Sequence, residues 1–372
     1  VPDFAWPTAW TTRTPAAVRK ALLDWFDLAK RPMPWRADRD PYRIWVSEVM
    51  LQQTTVAAVV PFFERFLKSF PTVTALAAAD EQAVLGHWAG LGYYRRARHL
   101  HQAAERLAAE YGDTLPDDPA VWAALPGVGR YILGAVLSQA FERRLPVVEA
   151  NTLRVLSRWF GSRLDPRKGE GKAWVWRAAE AVLPNNRVGD FNQAMMELGA
   201  LVCTPAAPRC GGCPVARWCE ANRLGLQNVI PPPPKPKVMV NVEEVAVVVR
   251  DGAKILWCRR PPTAKRWADM WEIPHAERRP GEAIDAAVVR VARELTGLTV
   301  EPGPEVTTVR HGVTRFAITM TCVEGDRVAG TFAPGAYTAG EWLTPTEAAA
   351  RPVSSPQRKL AAELARAGRR LF

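Results

Sequence analysis

The chain has 372 residues, enough for two domains of ordinary size, and 48% of them are apolar, which excludes wholesale disorder. No apolar run reaches the roughly eighteen residues of a membrane-spanning helix. A formal charge of +11 favours phosphate-rich partners, because cations that neutralise phosphates release condensed counterions.

The opening VPDFAWPTAWTTR lacks the charged flank and apolar run of a signal peptide, so a cytoplasmic protein is expected. Thr14-Pro15 reads as an N-cap with proline at the first helical position, ahead of an amphipathic helix to Lys30. Residues 42–53 and 55–69 predict two more helices, the second bent at Pro61. Tyr93 to Tyr111 is a basic helix stopped by Gly112. Residues 116–142 hold a short helix, a glycine turn and a second helix. Residues 151–160, 172–183 and 190–202 continue helical. No strand pattern is convincing before residue 240. PPPPKPK at 231–237 is an extended linker, since four consecutive prolines fit neither helix nor central strand. Residues 1–225 are therefore expected as an all-α domain, 226–240 as a linker and 241–372 as an α+β domain. Its signals are VEEVAVVVR-DG-AKILWCRR, a β-hairpin with a DG turn, a second strand pair in TVRHGVTRFAITMTCVEGD, and helices at 282–296 and 356–368.

Four motifs carry chemistry. Cys203, Cys210, Cys213 and Cys219 fall within seventeen positions, spaced C-x6-C-x2-C-x5-C. Four thiolates in one compact loop suit either zinc or a [4Fe–4S] cluster, and the spacing does not choose. Cys258 and Cys322 stand apart and read as buried thiols. LPGVGRYILGAVL (125–137) places Gly127 and Gly129 in a tight turn whose backbone amides and Arg130 suit a phosphate, as in helix-hairpin-helix DNA binding. In PYRIWVSEVMLQQT (41–54), Glu48 sits among apolar neighbours, where burial raises its pKa and suits it as a general acid. In LPVVEANTLR (145–154), Glu149 precedes Asn151, read as the cap of the next helix. Two carboxyls in different roles suit glycosidic-bond cleavage.

Together with WAGLGYYRRARHL (88–100) and DFNQAMMELGALVC (190–203), these motifs resemble the adenine DNA glycosylases of the endonuclease III superfamily. The resemblance implies that the cysteines hold a [4Fe–4S] cluster bracing a basic loop. It implies a substrate of duplex DNA in which adenine faces 8-oxoguanine or guanine, flipped out at an expense of a few kcal/mol. Glu48 then protonates the adenine ring, Tyr131 lines the pocket, and Trp35, Arg36 and Gln193 surround the base. Gln53 and Tyr93 fill or wedge the stack. Relatives that also nick DNA carry lysine where this chain has Tyr131; a tyrosine forms no Schiff base, so a monofunctional enzyme is implied. A monomer is expected, with no membrane partner.

The downstream domain resembles the Nudix-like module that reads 8-oxoguanine. GEAIDAAVVRVARELTGL (281–298) keeps Arg293 and Glu294 but lacks the following acidic pair, which argues for a reader and against a hydrolase. Two positions depart from the family. Glu149 stands where aspartate is usual, one methylene longer. Val313, Thr314 and Arg315 stand where the lesion-reading loop is commonly Phe-Ser-His. Two other readings stay open: a glycosylase for uracil or thymine opposite guanine, and a lesion-binding protein weakened in catalysis at Glu149.

Overall fold

The structure, a computed structural model, describes residues 6, 7, 10–234 and 238–368. Of the expected proline linker, residues 235–237 lie outside the described residues, and 231–234 form neither helix nor strand. The chain divides into two compact units, one of residues 1–78 and 99–235, the other of residues 79–98 and 236–372.

The first unit is helical. Helix α1 (Thr14–Ala29) buries Val18, Leu22 and Phe26, a repeat of four that lines one face. Thr14 is not its cap. Arg13 takes that position, and the Thr14 hydroxyl instead accepts the Thr11 N–H at 2.9 Å, closing the turn before the helix. Helix α2 (Pro41–Leu51) is capped by the Asp40 carboxylate, which accepts from the Tyr42 and Arg43 N–H groups. Every residue from Ile44 to Met50 is buried, so α2 is enclosed on all sides, and Glu48 with it. Helix α3 (Val56–Ser69) continues through Pro61 as a single helix, and α4 (Val73–Ala77) is short.

Helix α5 (Glu81–Trp88) belongs to the second unit, and the boundary between units falls within α6 (Arg95–Tyr111). Gly112, at φ +60°, ends α6 as expected. Helices α7 (Pro119–Ala123) and α8 (Arg130–Phe141) flank the glycine turn. Then come α9 (Ala150–Trp159), α10 (Gly169–Val182), α11 (Val188–Leu201) and α12 (Glu220–Arg223). Helix α11 packs on both α8 and α9 at close range. A Cβ at Gly189 would sit 2.6 Å from the Ser138 carbonyl oxygen, and one at Gly199 would sit 2.5 Å from the Asn151 Cβ. Helix α2 packs on α8, the contact that brings Glu48 to its partners.

The strands of the second unit are β1 (Val240–Asp251), β2 (Lys254–Arg259), β3 (Trp271–Glu272), β4 (His275–Glu277), β5 (Thr299–Val313), β6 (Phe316–Ala329) and β7 (Ala339–Leu343). They form one mixed sheet of order β3-β2-β1-β6-β5, with β4 paired to β1 and β7 to β2. Strands β1 and β6 run parallel from Val240↔Phe316 to Arg250↔Asp326, and the other pairs are antiparallel. The DG hairpin is present: Asp251 pairs with Lys254 across Gly252 at φ +59°. Strand β1 is buried on both faces, so its core reads VAVVV rather than alternating. Val245, Val247 and Val249 meet α13 (Ile284–Thr296), while Ala246 and Val248 meet the side of α15 (Ser355–Gly368). Helix α14 (Pro345–Ala350) precedes α15. Cys258 and Cys322 are buried thiols, as expected.

Candidate active site

Glu48 is 3% exposed. Its Oε2 accepts the Tyr131 hydroxyl at 2.5 Å and its Oε1 accepts the Gln139 amide at 3.0 Å, both from α8. Burial pushes the Glu48 carboxyl up, opposed by these two bonds and by the Arg36 charge. A carboxyl so placed holds a proton at higher pH than an exposed one.

Glu149 caps α9. Its carboxylate accepts the N–H groups of Asn151 at 2.8 Å and Thr152 at 2.9 Å, and the Thr152 hydroxyl accepts the Glu149 N–H at 2.8 Å. The cap is therefore Glu149 and not Asn151, because the acid reaches the orphan amides of the first turn, where the helix dipole also favours an anion. The Asn151 side chain has a different use. It donates to Glu149 Oε2 at 3.2 Å and accepts from Arg154 at 2.9 Å. Burial also pushes the Glu149 carboxyl up, against its two amide bonds; Glu48 adds to the rise. Tyr131 feels both acids. Both carboxyls thus lie within electrostatic reach of the Tyr131 hydroxyl, which donates to Glu48.

A polar cleft beside Glu48 is lined by Trp35, Arg36, Ile44, Gln139, Glu142 and Gln193. Trp35 and Arg36 lie on a short 3-10 turn, Pro34–Arg36, with Trp35 edge-on to Phe63 at 5.3 Å. Among the described residues the Gln193 Oε1 is buried without a hydrogen-bond partner, on a side chain that lines this cleft. Arg36 is fixed from behind by Glu197. Sequence reading missed Gln139 and Glu197; their signal was a polar side chain among the mostly apolar or small buried positions of its helix.

Cys203, Cys210, Cys213 and Cys219 line one shared cavity with Arg158 and Trp159. Among the described residues, no three His, Cys, Asp or Glu side chains gather closely enough for a single metal ion. Burial pushes Cys213 up to about 11 and Cys219 to about 12, so thiolates there call for a cationic partner. Arg158 donates to Cys203 Sγ at 3.3 Å, and Arg154 donates to the Cys203 carbonyl at 2.7 Å. Bonded groups therefore run from Glu149 through Asn151 and Arg154 to Cys203. Arg209 and Arg217 are exposed on this loop, and Arg217 stacks on Trp218 at 3.8 Å.

The other expected residues fall as follows. Gly127 has φ +75°, and a Cβ there would meet His99 Cβ at 2.7 Å; Gly129 caps α8, and a Cβ there would meet nothing. That turn is exposed, and Arg130 lies over Trp176 at 4.0 Å. Gln53 is exposed at φ +59° in the first unit, and Tyr93 is 56% exposed at φ +49° in the second. Left-handed backbone in non-glycine residues is strained, and such strain concentrates where function holds it.

Val313, Thr314 and Arg315 form the tip of the β5–β6 hairpin. Thr314 is exposed at φ +55°, its hydroxyl bonded to the Val313 carbonyl at 2.7 Å, and Arg315 lies over Phe316. On α13, the arginine that engages acids is Arg290 and not the exposed Arg293. Arg290 clamps Glu282 at 2.6 Å and reaches Glu294, which Arg279 also holds. The Arg290 bond holds Glu282 down at about 2. Two carboxylates answered by two guanidiniums leave a poor donor set for a divalent cation.

Residues 46–180 match the family model of the HhH-GPD superfamily base excision DNA repair protein, and residues 244–363 match that of the NUDIX domain. The adenine DNA glycosylase of Homo sapiens is 33% identical over 404 residues, spanning 92% of this chain and 73% of the human protein. That of Rattus norvegicus is 41% identical over 244 residues, spanning 63% of this chain. The matched part is 46% of the rat protein, so the chain spans about half the length of that relative. A solved thermostable thymine-DNA glycosylase is 28% identical with a TM-score of 0.52, covering 57% of this chain and 98% of that one.

Proposed function

The chain belongs to the adenine DNA glycosylase family, and from that membership we propose that it hydrolyses the N-glycosidic bond of adenine mispaired with 8-oxoguanine or guanine in duplex DNA. The observation that carries the reading is the Glu48–Tyr131–Glu149 arrangement beside a cleft with an unanswered acceptor. A flipped adenine offers an amine donor and a ring-nitrogen acceptor on one edge. Gln193 Oε1 suits the amine, and protonated Glu48 or Arg36 suits the ring nitrogen. Glu48 gives its proton to the purine, the bond from the sugar anomeric carbon to the base breaks, and the base leaves neutral. Glu149, a carboxylate at a helix N-terminus, stabilises the cationic sugar or bonds to it transiently. Water then forms the new carbon–oxygen bond and loses its proton, leaving an abasic site. Tyr131 supplies no amine, so the strand stays intact.

Cys203, Cys210, Cys213 and Cys219 would hold a [4Fe–4S] cluster. Four thiols lining one cavity are the donor set such a cluster takes. A bound cluster supplies a rigid crosslink behind α9 and α11. The second unit, with its carboxylates clamped, suits lesion reading through the tip Val313-Thr314-Arg315 rather than nucleotide hydrolysis.

A single-turnover panel tests the reading. Duplexes carry adenine, thymine or uracil opposite 8-oxoguanine and guanine. Adenine is expected to leave fastest, above all opposite 8-oxoguanine, without strand cleavage before alkali. Preferential thymine or uracil release would select the pyrimidine reading, and tight binding without release would select the weakened binder.

A further inference from the structure

We infer that Glu197, on α11, is a positioning residue: it holds the Arg36 guanidinium at the cleft and offsets its charge beside Glu48. The inference rests on the adenine-excision reading above and adds a residue to it.

Glu197 is 1% exposed, in the middle of a helix whose other buried positions are mostly apolar or small. A buried carboxylate is costly unless paired and hydrogen-bonded. Here both oxygens are answered. Oε2 accepts Arg31 Nε at 2.8 Å and Oε1 accepts Arg36 Nη1 at 2.8 Å, across more than 160 residues of sequence. Arg36 Nη1 also donates to the Arg31 carbonyl at 3.1 Å, and the guanidinium lies 5.8 Å from the centre of the Phe26 ring. With Nη1 engaged behind, the nitrogens left over are those the cleft can use. Glu197 itself is not among the residues lining the cleft, so it acts through Arg36 and not on a base.

The charge balance gives this contact its purpose. Among the described residues, the groups bonded to or electrostatically coupled with Glu48 are Tyr131 and Gln139 from α8, Arg36 from the 3-10 turn, and Glu149 from α9. Of these, Arg36 is the cation, and a cation beside Glu48 draws its proton off. A general acid must keep that proton until the base takes it. Glu197 lets the cleft contain a guanidinium, with its donors, while offsetting part of its field at Glu48. Arg31 is half-exposed and shares the same carboxylate, which braces the pair from the solvent side.

The test is the pH dependence of single-turnover adenine release from a duplex with adenine opposite 8-oxoguanine, for wild type, Glu197→Gln, Arg36→Met and the double variant. For Glu197→Gln the falling alkaline limb is expected at lower pH. Its rate on that side drops about tenfold, while the acid plateau stays within about threefold of wild type. For Arg36→Met, which removes the cation beside Glu48 and leaves Glu197 to Arg31 alone, the limb is expected at higher pH. The double variant returns the limb to the wild-type position, whatever its plateau. A uniform loss for Glu197→Gln at every pH, or an unmoved limb in Arg36→Met, overturns the inference; the second arm serves if Glu197→Gln does not fold. Failure of the wild type to release adenine would instead overturn the functional reading beneath it.

Discussion

Glu48 is enclosed because α2 is enclosed, and its chemistry follows from that burial. Its folded pKa lies above its unfolded one. Its contribution to stability is therefore full below the unfolded pKa and is lost as pH rises through the folded value. Glu48→Gln keeps the shape and removes the ionisation. Its melting temperature is expected to exceed that of wild type by a margin that widens from pH 5 to pH 8; a constant or shrinking margin would contradict the assignment of a buried, proton-holding carboxyl. Glu149 makes a different prediction, because its carboxylate also caps α9. Glu149→Ala should lose about 1 kcal/mol of stability in denaturant melts. Glu149→Asp, another good cap, should lose little. Glu149→Gln should nearly abolish excision, and a wild-type rate would remove the residue from the mechanism. Glu48, Glu149 and Tyr131 were legible in the sequence because their local motifs are specific. Gln139 and Glu197 were not, since their roles depend on how α8 and α11 cross, which no local pattern records.

At the scale of elements, the glycine turn between α7 and α8 shows what composition can and cannot tell. The turn itself was legible in LPGVGRY. Which glycine is indispensable was not, because that depends on His99, far off in sequence but adjacent in space. Gly127→Ala adds a Cβ at φ +75° and against His99, so a loss of about 1–2 kcal/mol in stability and weaker binding to any duplex are expected. Unchanged melting and unchanged affinity would show the turn to be tolerant. Helix limits were read to within a few residues, save where caps compete. Arg13 rather than Thr14 precedes α1, and Glu149 rather than Asn151 caps α9. On α13 the sequence showed that Arg293 and Glu294 are kept but not that Arg290 is the residue that meets Glu282, because helical phase decides who meets whom.

For the whole molecule, the break from helices to strands near residue 240 was plain in the sequence, and the proline run marks it. The parallel pairing of β1 with β6 was hidden, since it joins segments some seventy residues apart with no signature of its own. Nor did the sequence alone bring Glu48 and Glu149 within reach of each other; that needed α2 packed on α8, and α11 packed on both α8 and α9. The net charge of +11 fits a partner bearing phosphates, and the exposed glycine turn offers amides to one. The central claim is that a buried, protonated Glu48 expels adenine from the adjacent cleft that Arg36 and Gln193 line. The measurement that tests it most directly is the amount of free adenine released from an adenine:8-oxoguanine duplex in a single turnover by wild type and by folded Glu48→Gln. Stoichiometric adenine from wild type with essentially none from the variant is the predicted result; equal release by both would contradict it.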